Sequence, residues 1–89
     1  MATYERFEDL PVWRDAIRLA EEVEDFLEAV GKVISWSKRD QIERASLSVS
    51  NNIAEGFERG STAELLQFIY IARGSAGEVR SMLWNLEKL

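Results

Sequence analysis

Gln41, Arg44, Ser48, Asn52, Glu55 and Arg59 gather much of this chain's hydrogen-bonding capacity in one place. They recur three and four residues apart, so on a helix they share one face. The set offers amides, a hydroxyl, two guanidinium forks and a carboxylate. Such groups suit directional recognition: fixing helix register, selecting an assembly or gripping a ligand. They do not suit covalent chemistry. The sequence has no His and no Cys, so the commonest general base and the thiol nucleophile are absent. Ser37, in Ser-Lys-Arg-Asp at 37–40, has no base partner that would make it a nucleophile. A zinc or transition-metal site would rest on carboxylates alone. No EF-hand, P-loop or dinucleotide motif occurs. The expectation is a protein that is not an enzyme, with no cofactor, no metal and no small-molecule substrate.

The elements that must position these residues are helical. Gln41 to Gly56 reads as one helix. Ile42, Ala45, Val49, Asn52 and Gly56 alternate three and four apart, the seam of a helix packed on other helices. Ala45, Ser46, Ser48, Ser50 and Ala54 are small, so a neighbouring backbone can come close. Asn52 falls on that seam with Ser48 and Arg44 nearby, where Leu would pack better. Three roles stay open for this trio: a buried cluster that sets register and assembly, a ligand or nucleic-acid contact, or solvated surface. Asn51, Glu55 and Arg59 form a second ladder at spacing four. It is either an i, i+4 ion pair worth ~0.3–0.5 kcal/mol or part of a buried or inter-subunit network with Arg73 and Glu78.

Two more helices flank this one. Trp13, Ala16, Ala20, Val23, Leu27 and Val30 keep the same alternation, with Val12, Leu19 and Phe26 as a second stripe. The spacing predicts a helix over about 10–30, capped by Asp9, with Pro11 in its first turn and Gly31 ending it left-handed. Ser37 and Asp40 suggest a capping box for the second helix, over about 37–57. Ser61 and Glu64 form another for the third, over 61–89. In that helix Leu65, Phe68, Ala72, Ser75, Val79, Met82, Leu86 and Leu89 continue the alternation. Gly74 and Gly77 inside it should each cost ~1 kcal/mol relative to Ala. They are expected, with Gly56, to mark close helix approach. Short connections make neighbours antiparallel. The fold class is all-α: an up-and-down bundle of three long helices in one domain, residues 1–89. Its apolar arcs are wider than three helices need. Trp36, Tyr70 and Trp84 also lie off the main seams. A small core and surplus apolar surface together point to a homo-oligomer.

The net charge of −5 is uneven. Residues 1–33 hold nine Asp/Glu against four Lys/Arg, and the remainder is balanced. Glu21, Glu22, Glu24, Asp25 and Glu28 spread over the arc opposite Ala20, Val23 and Leu27, as a solvated face would. Nucleic-acid binders usually present a basic face. Here only an assembly could concentrate Arg39, Arg44, Arg59, Arg73 and Arg80 on one surface. The aromatics fall on apolar stripes rather than among Lys/Arg, unlike a base-stacking platform. No apolar run approaches a membrane span and no signal-peptide pattern appears, so a cytoplasmic location is expected.

The stretch Gln41, Ile42, Arg44, Ala45, Ser48, Val49, Asn52, Ile53, Ala54, Glu55 and Gly56 carries a resemblance. So do Phe7-Glu8-Asp9-Leu10 and Val12-Trp13 upstream, and Phe68, Ala72, Gly74-Ser75 and Glu78 downstream. The pattern resembles the four-helix-bundle proteins encoded in intervening sequences of bacterial 23S rRNA genes. It is also similar to the accessory proteins of diversity-generating retroelements. The resemblance implies a homo-oligomeric ring, often pentameric. Through the retroelement relatives it implies a nucleic-acid or reverse-transcriptase partner. Three departures stand out. Glu43 and Ser50 replace a frequent Arg and Pro, residues 31–36 lack the usual Pro, and the chain stops at Leu89 where the pattern runs into a fourth helix. The groove such a helix would occupy is then expected to be filled by other subunits or repacked.

Overall fold

The computed structural model describes residues 3–87. Three helices follow a single 3-10 turn at Phe7–Asp9: α1 (Pro11–Val30), α2 (Trp36–Glu58) and α3 (Thr62–Glu87). Connections of residues 31–35 and 59–61 return each helix antiparallel to the last. This is the all-α up-and-down arrangement that the periodicity predicts. Leu89, the last position of the expected α3 stripe, lies outside the described residues.

The helix ends differ from the sequence expectations in instructive ways. Asp9 does not cap α1. The 3-10 turn carries the chain one residue further, and Leu10 occupies the cap position with no side-chain hydrogen bond. Leu10 is buried there, and Pro11 follows where no backbone donor is needed. Asp9 lies 4.0 Å from Arg14, whose Nε donates to the Glu8 carbonyl at 2.8 Å. Gly31 is right-handed, at φ −58° and ψ −22°. A Cβ at Gly31 would lie 2.7 Å from Arg39 Nη1 and 2.9 Å from the Leu27 carbonyl oxygen. Glycine is needed there for space rather than for a left-handed turn.

The cap of α2 is Ser35, not Ser37. Its hydroxyl accepts from the Lys38 N–H at 3.2 Å, which leaves Asp40 free to bind Arg44. Ser61 caps α3 as expected: Glu64 N–H donates to Ser61 Oγ at 3.2 Å, and that hydroxyl donates to Glu64 Oε1 at 3.0 Å. Gly60 supplies the left-handed residue of the α2–α3 turn, at φ +88°.

Helix α2 is the central element. It packs against both neighbours, while the backbones of α1 and α3 nowhere approach within 8 Å. Two apolar clusters run along it. Leu10, Ala16, Val49, Ile53 and Ala72 fill the end near the 3-10 turn, and Val23, Leu27, Ile42, Ala45 and Val79 the other. Ser46 and Ser50 are buried within this packing. Each hydroxyl donates to a carbonyl three residues earlier, so neither is left unsatisfied.

Gly56 is a close-approach glycine. A Cβ there would lie 2.5 Å from Phe68 Cβ and 3.2 Å from Leu65 Cα. Gly74 and Gly77 are not: a Cβ at either meets nothing within 4 Å. Both face away from α2, so no contact among the described residues compensates for their low helix propensity. Between α1 and α3 lies a groove that none of the described residues fills. Leu19, Ala76 and Leu83 line its middle, with Phe26, Val30 and Leu86 toward one end.

Candidate functional site

The polar stripe of α2 lies beside α3, at the edge of the core. Asn52 is half-buried rather than central. The fully buried position is Ile53, because α2 packs α1 on one side and α3 on the other, which turns its inner face toward Val49 and Ile53. The Asn52 amide donates to the Ser48 carbonyl at 2.7 Å and to Ser48 Oγ at 2.8 Å. Ser48 Oγ in turn lies 2.9 Å from Ser75 Oγ on α3, with either hydroxyl as donor. Three side chains thus form one hydrogen-bonded string from α2 to α3. Ser75 is buried, and sequence reasoning placed it on the α3 stripe without seeing it as a partner. The signal was a hydroxyl beside the α2 seam and another on the α3 stripe.

Arg44 does not belong to that string. Its side chain is 80% exposed and its Nε donates to Asp40 at 2.9 Å, one turn back on its own helix. Neither Glu55 nor Glu78 pairs with Arg44 among the described residues. Asp40 wins because spacing four on one helix brings it within reach at no cost in chain ordering. Arg59 donates to Glu55 at 3.1 Å, reaches Glu64 at 3.9 Å and stacks over the Phe68 ring at 5.2 Å. This cluster is solvent-exposed and local. It does not extend to Arg73 or Glu78, neither of which makes an ion pair among the described residues. Gln41 is exposed beside Ser81 and Met82, at the mouth of a shallow α2–α3 groove that also reaches Glu78.

Arg39 has a role that the acidic pattern of α1 concealed. Its guanidinium meets Glu28 at 2.9 Å, Glu43 at 3.0 Å and Glu24 at 3.6 Å. Glu24 and Glu28 are thus solvated on one side and bound to α2 on the other. The pKa of Arg39 is raised, first by the hydrogen bond to Glu43 and then by that to Glu28. Of the five arginines considered for phosphate contact, Arg39, Arg44 and Arg59 are therefore engaged by carboxylates. Arg73 and Arg80 stand exposed on α3 with no carboxylate partner among the described residues.

The outer surface also carries apolar side chains. Tyr70 is 68% exposed, Trp84 60%, Ile71 52% and Leu66 51%, all on α3. Val33 and Trp36 are still more exposed at the α1–α2 turn. No helix among the described residues is long and apolar enough to cross a membrane.

Neither a curated protein nor a solved structure matches the chain. A family model does, over residues 8–89, and its description is 23S rRNA-intervening sequence protein. That span takes in the polar stripe, the Ser48–Ser75 link and all three helices. The chain belongs to the 23S rRNA intervening sequence protein family.

Proposed function

We propose that this chain is a non-catalytic, self-assembling protein that acts in the cytoplasm as an oligomeric interaction scaffold. The observation that carries this is the apolar exterior of α3. Leu66, Tyr70, Ile71 and Trp84 are each more than half exposed on a protomer whose core is small. Burying such side chains is worth roughly 25 cal/mol per Å² of apolar surface, which an isolated protomer forgoes. The polar string Asn52–Ser48–Ser75 fixes how α2 and α3 sit together, and so holds that exterior in one shape. Association stabilises the folded state by mass action, so the melting temperature should fall on dilution. A melting temperature independent of dilution in the micromolar range contradicts self-assembly.

A second reading, a nucleic-acid or reverse-transcriptase accessory protein, is supported by Arg73 and Arg80. They are exposed on α3, seven residues apart and without carboxylate partners among the described residues. Two phosphate contacts per chain give a shallow salt dependence unless an assembly multiplies them. Titration of the 23S rRNA intervening segment at two salt concentrations tests this. Tight binding that collapses with salt, and is lost in Arg73→Ala/Arg80→Ala, would put this reading first.

A further inference from the structure

We propose that a pocket between the start of α2 and the end of α3 binds a small organic monoanion: one carboxylate on a compact apolar body. This inference is independent of self-assembly and concerns a different face from the α1–α3 groove. The pocket has a volume of about 240 Å³. Its floor is apolar. Ile42 is buried there, and Met82 and Leu86 are half-buried against the same core cluster. Its rim is polar and exposed, with Lys38 and Gln41 from α2 and Ser81 and Asn85 from α3. None of these four side chains has a hydrogen-bond or ionic partner among the described residues.

The charge of the pocket sets the class of ligand. Lys38 is its one cation, and no carboxylate lines it among the described residues. In a chain of net charge −5, that leaves a free ammonium with nothing to neutralise it. One ammonium balances one negative charge. The amides of Gln41 and Asn85 and the hydroxyl of Ser81 can donate further hydrogen bonds to the same anion. A phosphate would call for a guanidinium fork or free backbone N–H groups. Arg44, on the adjoining groove, is held by Asp40, and the Lys38 N–H is taken by the Ser35 hydroxyl.

The layout also sets size and orientation. The pocket is smaller than the roughly 300–1,000 Å³ of drug-sized sites, so it suits a body of about ten heavy atoms. Glu78 stands on the adjoining groove, three residues before Ser81, and repels an anion from that end. The carboxylate therefore lies toward Lys38, and the apolar body covers Ile42, Met82 and Leu86. No carboxylate or imidazole lines the pocket to act as a general base, so the ligand is bound rather than transformed.

NMR titration of the 89-residue protein with hydrocinnamate at low salt tests this. The side-chain amide signals of Gln41 and Asn85 should move together and saturate, with a Kd on the order of 1 mM. Acetate, which lacks the apolar body, and the neutral amide of hydrocinnamate should each bind about tenfold more weakly. Lys38→Met should weaken hydrocinnamate by about tenfold and leave its amide within about twofold, while Lys38→Arg keeps both within about threefold. Ser81→Trp should block both probes by laying a ring over the floor. Lys38 and Ser81 are exposed, and circular dichroism verifies that each variant keeps its helicity. Three outcomes overturn the proposal: shifts that do not saturate, equal affinity for the acid and its amide, or hydrocinnamate binding that survives Lys38→Met unchanged.

Discussion

The hydroxyl of Ser48 on α2 meets the hydroxyl of Ser75 on α3 at 2.9 Å, and Asn52 holds Ser48 in place from one turn further along. A Ser–Ser contact between helix faces is short-range, so it sets both the separation and the register of the pair. Ser75→Ala should cost about 0.5–1.5 kcal/mol, the worth of one neutral hydrogen bond, because Ser48 keeps its amide partner. Ser75→Leu should cost more, about 1–3 kcal/mol, by forcing the helices apart. Urea unfolding of the two variants measures both. Equal and negligible losses would mean the string does not fix the α2–α3 packing.

Glycines divide into two kinds that one substitution separates. Gly56→Ala should destabilise by about 1–3 kcal/mol, since its Cβ would lie 2.5 Å from Phe68 Cβ and 3.2 Å from the α3 backbone at Leu65. Gly74→Ala meets no atom of the described residues within 4 Å and should gain about 1 kcal/mol of helix stability. Denaturant unfolding of dilute protein reads both. A loss at Gly74 that grows with protein concentration would place that face in an interface between copies.

Arg39 joins Glu24 and Glu28 of α1 to Glu43 of α2. Its carboxylate partners are largely exposed, so each contact is screened and worth little alone. Arg39→Met should lower the melting temperature by more than the loss of a single surface pair, because three carboxylates lose one shared cation. The loss should shrink in high salt. A salt-independent loss would assign the effect to packing over Gly31 instead.

Glu8 accepts a hydrogen bond from Arg6 at 2.7 Å, which holds its carboxyl below the ordinary value of 4.5. A folded pKa below the unfolded one gives stability that is present above 4.5 and lost as pH falls through the lower, folded value. An NMR titration of the Glu8 side chain should show a midpoint below 4.5, moving up toward it in Arg6→Ala. A midpoint unchanged by that substitution would show that the contact does not persist in solution.

The helices were legible in the sequence because their apolar residues keep one period throughout, from Trp13 to Val30 and from Leu65 to Leu86. The family signature was legible for the same reason, as side chains at fixed spacing. What sequence could not supply was the direction in which each helix presents its stripe. Asn52 looked central until two neighbours, rather than one, turned α2 toward Ile53. For Arg44 a buried and a solvated role both stood open, and the solvated one holds because a carboxylate one turn away on its own helix needs no tertiary contact to be reached. Glu24 and Glu28 looked solvated because their partner, Arg39, lies on another helix, and only the fold brings it there. Ser75 went unassigned because its role exists only when Ser48 faces it.

Self-assembly is the claim on which the functional reading turns, and the native mass of the purified protein tests it most directly. Sedimentation equilibrium across a hundredfold range of concentration should give a mass that is a whole multiple of one chain and declines on dilution. The mass of a single chain at every concentration, with Leu66, Tyr70, Ile71 and Trp84 left in water, would contradict it.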